Sequence, residues 1–104
     1  MDTIITEQGG GKTTEIIKLA NKRGLYIVCQ NPDDVAAFAQ RLKLDIHYPL
    51  TFDEYLDGRF NNRSIKEVII DNADNLLEYV ARKLGTKISA ISITNEDYEV
   101  DTVM

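Results

Sequence analysis

Apolar positions along the chain recur in two rhythms, short continuous runs and helically spaced stripes, and the two alternate. Ile4 and Ile5 predict a short strand that ends at Thr6. Gly9, Gly10 and Gly11 follow, and a helix is expected from about Lys12, with Ile16, Ile17, Leu19 and Ala20 on one face. Lys22 and Arg23 suit its last turn and Gly24 its stop. Residues 25–29 are uninterruptedly apolar, as in a strand covered on both faces. Asn31, Pro32 and Asp33 open a second helix carrying Val35, Ala36, Phe38, Ala39 and Leu42.

Residues 45–50 show no decisive period. Thr51 and Glu54 have the spacing of a capping box, and Phe52, Tyr55 and Leu56 predict a short helix ending at Gly58. Residues 66–71 read as a third strand. Leu76, Leu77, Val80, Ala81 and Leu84 mark the next helix, Gly85 its end, and residues 88–93 a fourth strand. Strands alternating with helices imply an α/β fold, a three-layer sandwich around a short parallel sheet of about four strands.

A length of 104 residues fits one domain. The expected division is residues 1–94 as the folded unit and residues 95–104 as an acidic, mobile tail. The net charge of −5 changes the picture little, because Glu96, Asp97, Glu99 and Asp101 all fall in that tail and leave the body nearly neutral. Composition therefore gives nucleic-acid binding no support through phosphate neutralisation. One cysteine, Cys29, excludes an intrachain disulfide, and with one histidine it excludes a zinc cluster. With no signal pattern and no long apolar run, the expectation is a cytoplasmic protein that does not enter a membrane.

The segment from Thr6 through Gly9, Gly10, Gly11, Lys12, Thr13 and Thr14 lies between a strand and a helix. Glycines let backbone N–H groups converge on an anion, a helix N-terminus adds positive partial charge, and a lysine neutralises phosphate. Asp71 stands at the C-terminal end of the third strand, the edge where ligands bind in open α/β sheets. Thr13 and Asp71 are thus candidates to share one Mg²⁺.

On these residues the chain resembles the P-loop NTPases, with Gly9 to Thr13 like the end of Walker A and residues 68–71 like Walker B. Within them it is similar to small single-domain phage and prophage ATP-binding proteins with a trimmed helicase-type core. Thr51 and Phe52 resemble a segment preceding Walker B in superfamily-one helicases. The resemblance implies Mg²⁺ with ATP or another nucleoside triphosphate as cofactor. Gly9, Gly10 and Gly11 would then donate backbone N–H groups, Lys12 would neutralise phosphate, Thr13 and Asp71 would hold the metal, and Thr14 would meet the inner phosphate. Asn95 is the implied sensor of the terminal phosphate. The implied strand order is 1-4-3-2, counting the strands at residues 4–5, 25–29, 66–71 and 88–93. That order leaves the first strand at an open edge, which a second copy or a larger protein partner is expected to cover.

Three departures shape the expected activity. Thr6 stands where the motif has its first glycine. Glu7 puts a carboxylate in the loop; at ~5 Å and an effective dielectric of ~20 this repels one phosphate charge by about 3 kcal/mol. Asn72 replaces the glutamate that usually activates water, leaving Asp74 and Glu7 as candidate bases and predicting slow or absent hydrolysis. The competing expectation is a non-enzymatic, degenerate P-loop module serving a phage or mobile-element assembly. Blander readings stand beside these. The glycines alone make a turn, and Asp71 caps the following helix. His47 is a loop residue, Cys29 is a buried strand residue, and Arg59, Arg63 and Lys66 form a solvated face.

Overall fold

The computed structural model describes residues 12–58 and 65–92. In chain order these form α1 (Lys12–Arg23), β1 (Tyr26–Cys29), α2 (Pro32–Arg41), β2 (Leu50–Thr51), α3 (Phe52–Leu56), β3 (Val68–Ile70) and α4 (Ala73–Lys83). The strands make a parallel sheet in the order β2-β1-β3. On one edge of β1, Val28 pairs with Leu50 and Cys29 with Thr51; on the other, Tyr26, Ile27 and Val28 pair with Val68, Ile69 and Ile70.

The helix ends follow from local chemistry. Gly24 and Gly85 adopt left-handed backbone at φ +66° and +69°, which costs glycine nothing. Each lets the next residue's N–H reach back, Leu25 to the Ala20 carbonyl at 3.1 Å and Thr86 to the Ala81 carbonyl at 2.8 Å. After α2 the same turn is made by Lys43 at φ +58°, with Leu44 N–H donating to Ala39 O at 3.0 Å. At α3 the expected capping box is present: Glu54 N–H donates to Thr51 Oγ1 at 3.1 Å, and Thr51 N–H to Glu54 Oε1 at 2.9 Å.

Period-two alternation splits the apolar side chains into two layers. Ile27, Cys29 and Ile69 face Ile16, Ile17 and Ala20 of α1 and Val35 and Ala39 of α2. Val28, Val68 and Ile70 face Leu50 and Phe52, with Tyr55 of α3 and Leu76 and Tyr79 of α4 packed alongside. The two faces follow from crossover handedness. The path from β1 to β2 moves one way across the sheet and the path from β2 to β3 moves back, so right-handed connections put α2 and α3 on opposite faces.

Three expectations need revision. The strand at residues 25–29 was expected at an end of the sheet, but β1 lies between two partners because β2 adds a pairing that two residues cannot announce by periodicity. Residues 88–92 form no strand, and Ile88 and Ile91 are exposed. A four-stranded sheet is therefore not what the described residues form; it has three strands. The expected first strand and the acidic tail at residues 95–104 lie outside the described residues.

Candidate functional site

An open cleft of about 290 Å³ lies at the C-terminal ends of β1 and β3. It sits where strand order reverses, since α2 departs from β1 on one face and α4 from β3 on the other. Thr13 from the first turn of α1, Cys29, Gln30 and Asn31 from the end of β1, and Asp71, Asn72 and Asn75 from the β3–α4 junction line it. The wall from α2 carries Asp34, Val35, Phe38 and Arg41.

Several features fix this geometry. Asp71 N–H donates to Val28 O at 2.9 Å, extending the β1–β3 pairing and holding the carboxylate at the sheet edge. Asn75 Nδ2 donates to Gln30 Oε1 at 3.1 Å, tying α4 to the end of β1. Asn72 takes left-handed backbone at φ +67° and is the N-cap position of α4. Asparagine enters that region more readily than most residues, so the sharp turn between β3 and α4 favours the residue found there over a glutamate.

Thr13 and Asp71, placed far apart in sequence, therefore share one cleft. Burial raises the Asp71 carboxyl above its ordinary pKa, and the nearby positive charge of Lys12 pulls it partway back. Among the described residues the Asp71 carboxylate has no hydrogen-bond or ion-pair partner, and the N-cap position of α4 belongs to Asn72, so helix capping does not account for it. Thr14 is half-buried on α1 and does not line the cleft. Asp74 is exposed on the first turn of α4 and does not line it either. Glu7, Gly9, Gly10, Gly11 and Asn95 lie outside the described residues.

Sequence reasoning missed the opposite wall. The polar run Gln30, Asn31, Asp33 and Asp34 directly after an apolar strand was the available signal, since residues just past a parallel strand sit at the binding edge. Arg41 carried no signal of its own. It belongs to the site because it follows Asp34 and Phe38 on one stripe of α2, and its guanidinium lies 5.3 Å from the Phe38 ring centroid. Cys29 is buried, and burial with the charge of Asp71 pushes its thiol up to about 12, so it stays protonated and is no nucleophile.

Among the described residues no group of three or more His, Cys, Asp or Glu side chains converges as a metal cage, and no helix is long and apolar enough to cross a membrane. No family model, no curated protein and no solved structure matches this chain.

Proposed function

We propose that this chain is a minimal P-loop nucleotide-binding protein that takes ATP or another purine triphosphate with Mg²⁺, hydrolysing it slowly or not at all. The observation that carries the reading is that Thr13 and Asp71 line one cleft at the C-terminal edge of a parallel sheet, with Lys12 directly before Thr13 at the start of α1. Mg²⁺ needs only one or two protein oxygens when phosphates and waters supply the rest, and the Thr13 hydroxyl and unpartnered Asp71 carboxylate fit that demand. Bound there, the ion would neutralise charge on the terminal phosphates. Lys12 would add a second cation, with Gly9, Gly10, Gly11 and Thr14 supplying backbone and hydroxyl donors.

Chain direction supports the larger fold. α1 lies on the face of α2, so a parallel strand preceding α1 through a right-handed crossover belongs on the β3 side of β1. That placement suits residues 4–5 as the first strand of the proposed fold, whereas residues 88–92 form no strand. Phage or prophage origin remains part of the same proposal.

A second reading rests on the exposed aliphatics Leu77, Leu84, Ile88 and Ile91 along α4 and the segment after it. They favour a non-enzymatic module whose partner, a second copy or a larger protein, covers that side.

Thermal shift and calorimetry with Mg-ATP and Mg-GTP separate the two. Under the first reading, ligand at a hundred times its Kd stabilises the protein by about 2.7 kcal/mol, and Lys12→Ala abolishes the response. No response in wild-type protein selects the module.

A further inference from the structure

We infer that the cleft beside Asp71 is an acceptor site, so that the chain transfers the terminal phosphoryl group to a small anionic alcohol in preference to water. The inference rests on the nucleotide reading above. A metal held by Thr13 and Asp71 would neutralise the outer phosphates, so the end of a bound triphosphate would lie near Asp71. The rest of the cleft, walled by Gln30, Asn31, Asp34 and Arg41, then lies beyond the terminal phosphate, where an attacking group must enter in line.

Three features of that space argue against a water site. The whole cleft, of about 290 Å³ and shared with the metal and terminal phosphate, is still several times the roughly 30 Å³ that one water occupies. The position beside Asp71 where a hydrolase keeps its base holds Asn72. Among the described residues, the carboxylate on the cleft wall apart from Asp71 is Asp34, on the far side from α4. There a carboxylate suits a hydroxyl brought in by a second substrate. Arg41 supplies the recognition element: its guanidinium rests against Phe38, and among the described residues no carboxylate pairs with it. An unpaired guanidinium on a cleft wall suits a carboxylate or phosphate on the acceptor.

The step balances without any further reagent. The acceptor hydroxyl oxygen bonds to the terminal phosphorus, the bond from that phosphorus to the bridging oxygen breaks, and the nucleoside diphosphate leaves with the electron pair. The hydroxyl proton passes to the Asp34 carboxylate and then to water.

The test follows nucleoside diphosphate release and ³¹P resonances with Mg-ATP and glycerate, glycerol 3-phosphate or ribose 5-phosphate, with uncharged glycerol as the comparison. At least one anionic alcohol is expected to accelerate ADP formation about tenfold or more over glycerol and to yield a new phosphomonoester resonance. Asp34→Asn is expected to lower kcat by about 10²-fold, with Mg-ATP binding still seen by calorimetry. Arg41→Ala is expected to raise the acceptor KM roughly ten- to a hundredfold with a smaller effect on kcat. Both positions are exposed on α2, so either variant serves if the other folds poorly. Release of inorganic phosphate alone, equal rates with all four alcohols, or an unchanged KM in Arg41→Ala overturns the acceptor site while leaving nucleotide binding intact. Absence of calorimetric Mg-ATP binding in wild-type protein overturns the nucleotide reading and the acceptor site together.

Discussion

β1 and β3 are adjacent parallel strands of similar apolar content, yet one is sealed and the other is not. Ile27 and Val28 of β1 are 0% exposed, whereas Val68, Ile69 and Ile70 of β3 are all half-buried. The difference lies in neighbours. β1 has a strand on each edge and a packed layer on each face. β3 pairs on one edge among the described residues, and the helix after it leaves Leu77 and Leu84 exposed. Burial is thus set by rank in the sheet order more than by strand composition. The candidate site straddles this boundary, with α2 and the end of β1 as its firm wall and the β3–α4 junction as its looser one.

Truncation gives the largest test of the contrast. Ile27→Ala should destabilise by about 2–5 kcal/mol, because a sealed position cannot relax into the cavity. Ile70→Ala, half-buried, should cost about 1–2 kcal/mol on the area removed from water. Urea denaturation compares them directly, and equal costs would show that β3 is as well covered as β1.

The capping box sharpens the comparison at the opposite edge. β2 is two residues long and is held by its pairing to β1 and by α3, so Thr51→Ala should cost about 1 kcal/mol. A cost near zero in the same denaturation experiment would mean that pairing with β1 alone fixes that edge.

The smallest effect belongs to Asp71, on the looser wall. Because burial raises its pKa in the folded protein, the folded state holds that proton more tightly than the unfolded chain does. The contribution is therefore fully present below the ordinary carboxyl value of 3.8 and is lost as pH rises through the folded value. Asp71→Asn should gain stability relative to wild type across that window, and Lys12→Ala should steepen the wild-type loss by removing the offsetting charge. Denaturation midpoints at a series of pH values read both. A variant that instead loses ground as pH rises would show the carboxylate to be stabilised by a partner. Under the proposed nucleotide reading, the same Asp71→Asn change should weaken Mg-nucleotide binding, which would set function against stability at this residue.

Much of this was legible in advance. The stripes of α1, α2 and α4 gave those helices, the box at Thr51 and Glu54 gave α3, and glycines 24 and 85 marked their turns, because each signal is complete within a few consecutive residues. That Thr13 and Asp71 lie at one sheet edge was readable too, since both flank predicted strand or helix ends. The far wall was not. Nothing local marks Arg41 as part of a cleft, and Lys43 makes a glycine's turn without being glycine.

The sequence by itself determined where helices start and stop and which side chains alternate between the faces of each strand, since those depend on contacts within one or two turns. Only the tertiary structure decided that β1 lies between β2 and β3, that residues 88–92 add no strand, and that Asp34 and Arg41 share a cleft with Asp71. Strand order and cleft walls depend on which distant segments meet, and that is settled by the sum of long-range burial and crossover handedness, which no short stretch of chain encodes.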